Sequence, residues 1–294
     1  MFKRVLVPLD GSALSERVLP IAKRLARSFD SRIDLVYVNP TPSDDIPDEI
    51  ASQAGEEGDA YLKGVADALI ADIGEERIGY FVRSGYPASM IIEEGESKEE
   101  SLILMSTHGY SGVQRLLLGS VASKVVQAAK IPVLLVPAEA KNPKGNLVEF
   151  ERAIVPLDGS KLAECVLPYA INLCKTLDME LILVRSYHPN FPGTSIRMHD
   201  VSQIVHDSAE NYLKAKLEEL EGEGLEKVSY KVLRGLPAEQ LTDFAIETPN
   251  SLTTMCTHGR HGIGRWVLGS VTGAVIQCSE EPVLVIRSSN EGNC

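Results

Sequence analysis

Met-Ser-Thr-His-Gly-Tyr-Ser-Gly-Val-Gln-Arg-Leu-Leu-Leu-Gly-Ser-Val, residues Met105 to Val121, returns later in the chain as Met-Cys-Thr-His-Gly-Arg-His-Gly-Ile-Gly-Arg-Trp-Val-Leu-Gly-Ser-Val, residues Met255 to Val271. Each copy follows a short apolar run, Ser101–Leu104 or Ser251–Thr254, that reads as a buried strand. Each leads through a helical pattern into a second apolar run, Pro132–Val136 or Pro282–Ile286. The stretch is therefore a strand-to-helix connection. Its closing Gly-Ser stands where a helix opens, and there the unsatisfied backbone amides and the macrodipole favour an anion. Gly109 lies just past the strand end, where a residue without Cβ lets backbone approach a ligand. Read from the residues, this is half of a phosphate site.

The repeat extends over nearly the whole chain. Val5–Ser12 matches Ala153–Ser160 at an offset of 158 − 10 = 148. Val82–Ala88 matches Val232–Ala238, and Thr107–Gly109 matches Thr257–Gly259, at an offset of 257 − 107 = 150. A unit this long is a duplicated domain rather than a solenoid repeat. The expected boundaries are a first domain over 1–138, a linker over 139–150 containing Asn142-Pro143-Lys144-Gly145-Asn146, and a second domain over 151–288. In the first copy, Arg4–Leu9 reads as a strand, Ala13–Ser28 as a helix capped by Ser12, and Ile33–Val38 as a strand. Asn39–Gly55, with three prolines and four acidic residues, reads as a loop, and Glu57–Ile73 as a helix. Ile78–Arg83 (strand), Pro87–Glu94 (helix) and Ser120–Ala129 (helix) complete the pattern, and Val205–Leu220 is strongly helical in the second copy. Strands alternating with helices imply α/β architecture, two parallel sheets with helices on both faces.

A net charge of −12 argues against nucleic acid or an anionic membrane as partner, since both call for a basic face. No apolar run approaches the roughly 20 residues of a membrane span. The opening Met-Phe-Lys-Arg-Val-Leu-Val enters a strand without the pattern of a signal peptide, so a cytoplasmic location is expected. Five cysteines, all in the second half and none spaced as Cys-x-x-Cys, read as free thiols. Cys256, beside the site, carries the sharper reading of a redox-sensitive thiol with a lowered pKa.

In a doubly wound sheet, ligands bind beyond the carboxyl ends of the strands, where the winding reverses. If strands one and four are neighbours, Asp10 faces Gly109, Gly119 and Ser120 across one crevice. Such a carboxylate suits ribose or amine donors, or a Mg²⁺ bridging to phosphates. It equally suits a local Asx turn. Neither Gly-x-Gly-x-x-Gly nor Gly-x-x-x-x-Gly-Lys-Ser/Thr occurs here. His108 and His258 have no ligand-spaced partner and read as loop residues, while His199 and His206 read as surface residues. No metal site and no catalytic constellation emerges.

Val-Pro-Leu-Asp-Gly-Ser at a domain start, Gly-x-Pro-Ala after the third strand, and Thr-His-Gly-x₉-Gly-Ser before Pro-Val-Leu-Leu-Val together resemble a universal stress protein domain, here in tandem. The resemblance implies two five-stranded sheets of order 3-2-1-4-5, packed about a pseudo-two-fold through their last strands, and leaves further association into a homodimer open. It also implies a stress-response regulatory protein that binds ATP, with or without Mg²⁺, and is not a turnover enzyme. The nucleotide-binding positions it implies are Pro8, Leu9, Asp10, Val38, Met105, Ser106, Gly109, Gly119, Ser120 and Val121. In the second copy they are Pro156, Asp158, Gly259, Gly269, Ser270 and Val271. The family's Gly-x₂-Gly-x₉-Gly-Ser/Thr is met except at its first glycine, which is Ser106 here and Cys256 in the second copy. Ser186 also replaces Val38 at the 148 offset, so the second site is expected to be the weaker. The alternative is an interaction and dimerisation module whose sites have decayed.

Overall fold

The computed structural model describes residues 1–40, 48–109, 118–137, 149–188, 198–257 and 268–287. The linker 139–150 lies mostly outside them. The chain forms two compact units, Met1–Val148 and Glu149–Cys294.

The first unit begins with β1 (Arg4–Leu9), the short α1 (Ala13–Glu16), α2 (Leu19–Phe29) and β2 (Arg32–Pro40). It continues through α3 (Asp48–Ile73), β3 (Ile78–Gly85), α4 (Pro87–Glu96), β4 (Ser101–Ser106), α5 (Ser120–Ala128) and β5 (Val133–Val136). All pairings are parallel, in the order β3-β2-β1-β4-β5. Helices α2 and α3 pack on one face of the sheet, α4 and α5 on the other. The second unit repeats this with β6 (Arg152–Pro156), α6 (Lys161–Glu164), α7 (Leu167–Leu177), β7 (Glu180–Tyr187) and α8 (Met198–Gly222). It ends with β8 (Val228–Arg234), α9 (Pro237–Glu247), β9 (Ser251–Cys256), α10 (Ser270–Cys278) and β10 (Val283–Ile286), ordered β8-β7-β6-β9-β10. Each unit is thus a doubly wound five-stranded parallel sheet. The winding reverses between the first and fourth strands, as the site argument required.

Besides elements that run a few residues longer than expected, such as α8 from Met198 and β2 to Pro40, two differences have a local cause. The helix read over Ala13–Ser28 is two helices, α1 and α2, broken at Arg17–Val18. Pro20 has no amide for the carbonyl four residues back, and its ring is accommodated only in the first turn of a new helix. The stretch read as loop to Gly55 is already helical from Asp48. A proline followed by two acidic residues is itself a helix-start signal, and the acidic count of the stretch masked it.

The two cores solve one packing problem differently. In the first unit Asp34, 2% exposed, accepts from Arg4 Nε at 2.6 Å and Arg32 Nε at 2.7 Å. Lys98 Nζ stands 3.4 Å from the same carboxylate, and Arg4 also reaches the Glu94 carboxylate at 3.1 Å. The equivalents of Asp34 and Glu94 in the second unit are Ile182 and Phe244. Burial pushes the Asp34 carboxyl upward, but the hydrogen bonds from Arg32 and Arg4 outweigh it and hold the pKa below the usual range. The difference is reversed in β9. Thr253 and Thr254, 1% and 0% exposed, bury hydroxyls without a hydrogen-bond partner among the described residues. Their first-unit equivalents are Ile103 and Leu104.

These differences give two expected outcomes. A carboxyl with a depressed folded pKa stabilises fully above its unfolded pKa of about 3.9, and that stabilisation disappears as pH falls through the folded value. Asp34→Asn should destabilise the first unit by about 3 kcal/mol at neutral pH, since it takes the charged partner at 2.6 Å from the buried Arg4, and should flatten its acid dependence below about pH 4. Urea titrations from pH 7 to 3 check both, and an unchanged acid slope would contradict the assignment. Thr253→Val removes an unpaired hydroxyl at nearly constant volume and should stabilise the second unit by about 1 kcal/mol in urea unfolding.

Candidate functional site

At the carboxyl end of β1, Asp10 closes a local turn. Its Oδ1 accepts from the Ser12 amide at 3.0 Å and the Ser12 hydroxyl at 2.6 Å. The same hydroxyl caps α1 by accepting from the Ser15 amide at 3.2 Å. Asp158 does the same in the second unit, with Ser160 at 2.8 Å and 2.6 Å. The Asx-turn reading is therefore correct for one oxygen of Asp10. The other, Oδ2, faces Gly109: a Cβ placed on Gly109 would stand 2.2 Å from it. Backbone of the β4 connection thus runs against the carboxylate, which a side chain at 109 would have to push aside.

The β4 end is tied down in three places. The Thr107 amide donates to Val136 of β5 at 2.9 Å, and Ser106 Oγ donates to the His108 carbonyl at 2.5 Å. The Gly119 amide donates to the Thr107 carbonyl at 2.8 Å, and a Cβ on Gly119 would come within 2.9 Å of that oxygen. Gly119 is the N-cap of α5, and the helical ladder opens with Ser123 N–H donating to the Gly119 carbonyl at 2.8 Å. The amides of Ser120, Val121 and Ala122 therefore precede the ladder, at the point where an anion is favoured. Gly269 repeats the arrangement, with its amide 2.8 Å from the Thr257 carbonyl and Ser270 opening α10. His108 pairs its Nδ1 with Thr107 Oγ1 at 3.0 Å and behaves as a loop residue.

These contacts set Gly109 against Asp10 and hold Gly119, with Ser120 and Val121 after it, at the end of β4 beside them. Pro8 is the next-to-last residue of β1, and Val38 stands two residues beyond the partner of Pro8 on β2. Leu9 and Met105 are core side chains, 3% and 7% exposed, so only their backbone borders the crevice. In the second unit Pro156, Asp158, Gly269, Ser270 and Val271 take the corresponding positions. Gly259 and His258 lie outside the described residues.

The model of the universal stress protein family matches residues 1–137 and again 149–287. The chain belongs to that family. A universal stress protein of Methanocaldococcus jannaschii is 35% identical over 150 residues, covering 49% of this chain and 85% of that protein. One from Mycolicibacterium smegmatis is 24% identical over 302 residues and 96% of both chains, so the tandem arrangement recurs there at full length. The crystal structure of a universal stress protein from Archaeoglobus fulgidus superposes with a TM-score of 0.73 at 24% identity, over 98% of this chain and 97% of that one. That likeness extends to the fold.

Within this tandem universal stress protein, the departures at the first motif glycine are absorbed by the interior. Ser106 is 7% exposed and spends its hydroxyl on the His108 carbonyl. Cys256 is 6% exposed, with Sγ 3.9 Å from the Ala163 carbonyl of α6. Burial pushes the Cys256 thiol up to about 12, against the expectation of a lowered value, so it is protonated and unreactive at neutral pH. Cys174, Cys256 and Cys278 are free thiols as expected, but Cys165 is not, being disulfide-bonded. Among the described residues no helix is long and apolar enough to cross a membrane.

Sequence reading missed a tyrosine–glutamate pair behind each aspartate. Tyr61 of α3 donates to Glu16 Oε1 at 2.8 Å, and Tyr212 of α8 donates to Glu164 Oε1 at 2.7 Å. Burial, then the glutamate, raises both phenol pKa values, so each stays a donor. The signal was available: both pairs recur at offsets of 164 − 16 = 148 and 212 − 61 = 151. His206, Asp207 and Glu210 of α8 could in principle approach one cation, but Glu210 already holds Lys214 at 3.2 Å and Tyr230 at 3.0 Å.

The close approach at Asp10 is testable without a ligand. Gly109→Ala should destabilise the first unit by roughly 1–3 kcal/mol through overpacking. Asp10→Ala in the same chain should recover most of that loss. A double-mutant cycle in urea with additive effects would show that the two residues do not meet.

Proposed function

We propose that the first unit binds an adenine nucleotide, ATP, in the crevice between the ends of β1 and β4, and that the protein acts in the cellular stress response through this bound ligand. The observation that carries the reading is the close approach of Gly109 to Asp10 at the start of α5. A bare backbone runs against the Asp10 carboxylate, beside the open amides of Ser120 and Val121. A donor-bearing sugar and an anion fit those two features together: the carboxylate accepts from hydroxyls, and the helix start receives phosphate oxygens. Val38, half-buried on β2, offers an apolar contact for a base. Ser106 is buried at the end of β4 and spends its hydroxyl on the His108 carbonyl. In this reading ATP is a conformational ligand and is not turned over. Mg²⁺, when present, would bridge the phosphates and Asp10.

The test is the small-molecule content of the purified full chain, followed by calorimetry with ATP and Mg²⁺. The expected result is about one ATP per chain in the first unit, with affinity reduced roughly tenfold in Asp10→Asn, by loss of a charge-assisted hydrogen bond, and abolished in Gly119→Trp. No binding at millimolar ATP would overturn the reading in favour of an interaction module. Multiple-turnover release of ADP would overturn the regulatory part.

A further inference from the structure

The Asp10 turn is held from behind by a part of the chain distant in sequence. Helix α1 has only four residues and is fixed along its whole length. At its start, the Ser12 hydroxyl accepts from the Ser15 amide while donating to the Asp10 carboxylate. Within it, the buried Ser15 hydroxyl accepts from the Asp10 amide at 3.3 Å and donates to the Ser12 carbonyl at 2.9 Å. At its last residue, Glu16 accepts from the Tyr61 phenol of α3 at 2.8 Å. A four-residue strut thus joins the carboxyl end of β1 to α3.

The far end of the strut is firmly seated. Tyr61 meets Tyr37 of β2 edge-on, with ring centroids 6.3 Å apart. One turn earlier α3 carries Gly58, where a Cβ would stand 2.6 Å from the Tyr37 ring. A side chain at 58 would have to push that ring aside, so the missing Cβ lets α3 settle onto β2. The position of the phenol is therefore set by the sheet. Burial, then Glu16, keeps the phenol protonated, and the Asp10 charge acts in the same direction. Tyr61 remains a donor to Glu16.

The second unit repeats the two ends of the strut and changes what lies between and beneath them. Ser160 caps α6, and Tyr212 donates to Glu164 at 2.7 Å. Ala163 stands in place of Ser15 (163 − 15 = 148) and brings no hydroxyl. Arg185 stands in place of Tyr37 (185 − 37 = 148), and Ala209 in place of Gly58 (209 − 58 = 151). The complete strut belongs to the first unit.

We propose that Tyr61 is a positioning residue for the first unit's site: through Glu16 and α1 it fixes the turn that presents the Asp10 carboxylate. A helix outside the site thereby controls a carboxylate within it, and displacement of α3 loosens the turn. For its ligand the proposal rests on the adenine-nucleotide reading; for the turn it rests on the contacts alone.

The full chain is tested first without ligand. Amide hydrogen exchange is followed by NMR at Asp10 and at Ser12, whose amide donates to the Asp10 carboxylate. Relative to the amides of β5, both should exchange about three- to tenfold faster in Tyr61→Phe, which loses one hydrogen bond. Ser15→Ala should do the same. The double variant should gain less than the product of the two, since both act along one path. Calorimetry with ATP and Mg²⁺ then reads the ligand. Tyr61→Phe should weaken affinity by a similar factor and should have no further effect in an Asp10→Asn chain. Tyr212→Phe removes the matching bond in the second unit and should leave exchange at Asp10 and Ser12 unchanged. Unaltered exchange at Ser12 in Tyr61→Phe overturns the proposal. So does an equal loss of affinity with and without the Asp10 carboxylate, which marks a general effect on the unit. If the parent chain binds no ATP, the nucleotide reading fails, and the exchange measurement alone decides whether Tyr61 positions Asp10.

Discussion

The hydrogen bond from the Gly119 amide to the Thr107 carbonyl, 2.8 Å long, sets the rest of the site. It brings the start of α5 against the end of β4 so closely that a Cβ at 119 would meet the accepting oxygen at 2.9 Å. With the helix start fixed there, its open amides share a crevice with Asp10, because β1 and β4 are neighbours where the winding reverses. The second unit makes the same bond from Gly269 to Thr257 with the same length. One backbone contact, made possible by one missing side chain, thus determines where the open amides of α5 stand.

Much of this was legible in the residues. Apolar runs gave the strands, because a parallel sheet covered on both faces buries its central strands completely, as β1 and β4 are. The Asp10 and Gly119 positions followed from topology. The contacts between distant side chains were not legible. Nothing in local pattern says that Arg4, Asp34 and Glu94 converge in one buried cluster, or that Arg185 lies over Tyr212. Those depend on which faces the strands and helices present to one another. The Cys256 reading failed for a related reason. Proximity to a helix start in sequence suggested activation, whereas burial beneath α6, invisible in the sequence, dominates the thiol.

The duplication makes the chain a comparison with itself. Where the first unit buries a carboxylate among cations, the second has isoleucine, and where the first has isoleucine and leucine, the second has two threonines. Both sheets keep the same order and the same register. The fold is therefore set by the alternation of strands and helices and by the glycine contacts at the strand ends, and it tolerates opposite polarity in the layers beneath. Polarity varies at the strand ends as well, as it does between Val38 and Ser186.

The fit between Asp10 and Gly109 also gives the crevice a direction of change. A side chain at 109 collides with the carboxylate, whereas a shorter residue at 10 opens space and gives up only the local turn to Ser12. Mutational paths that alter both positions must therefore pass through 10 first. A lineage that has filled position 109 cannot regain the carboxylate in a single step. Loss of this crevice would be easy in one order and hard to reverse in the other, so the contact works as a ratchet on how a duplicated copy can drift.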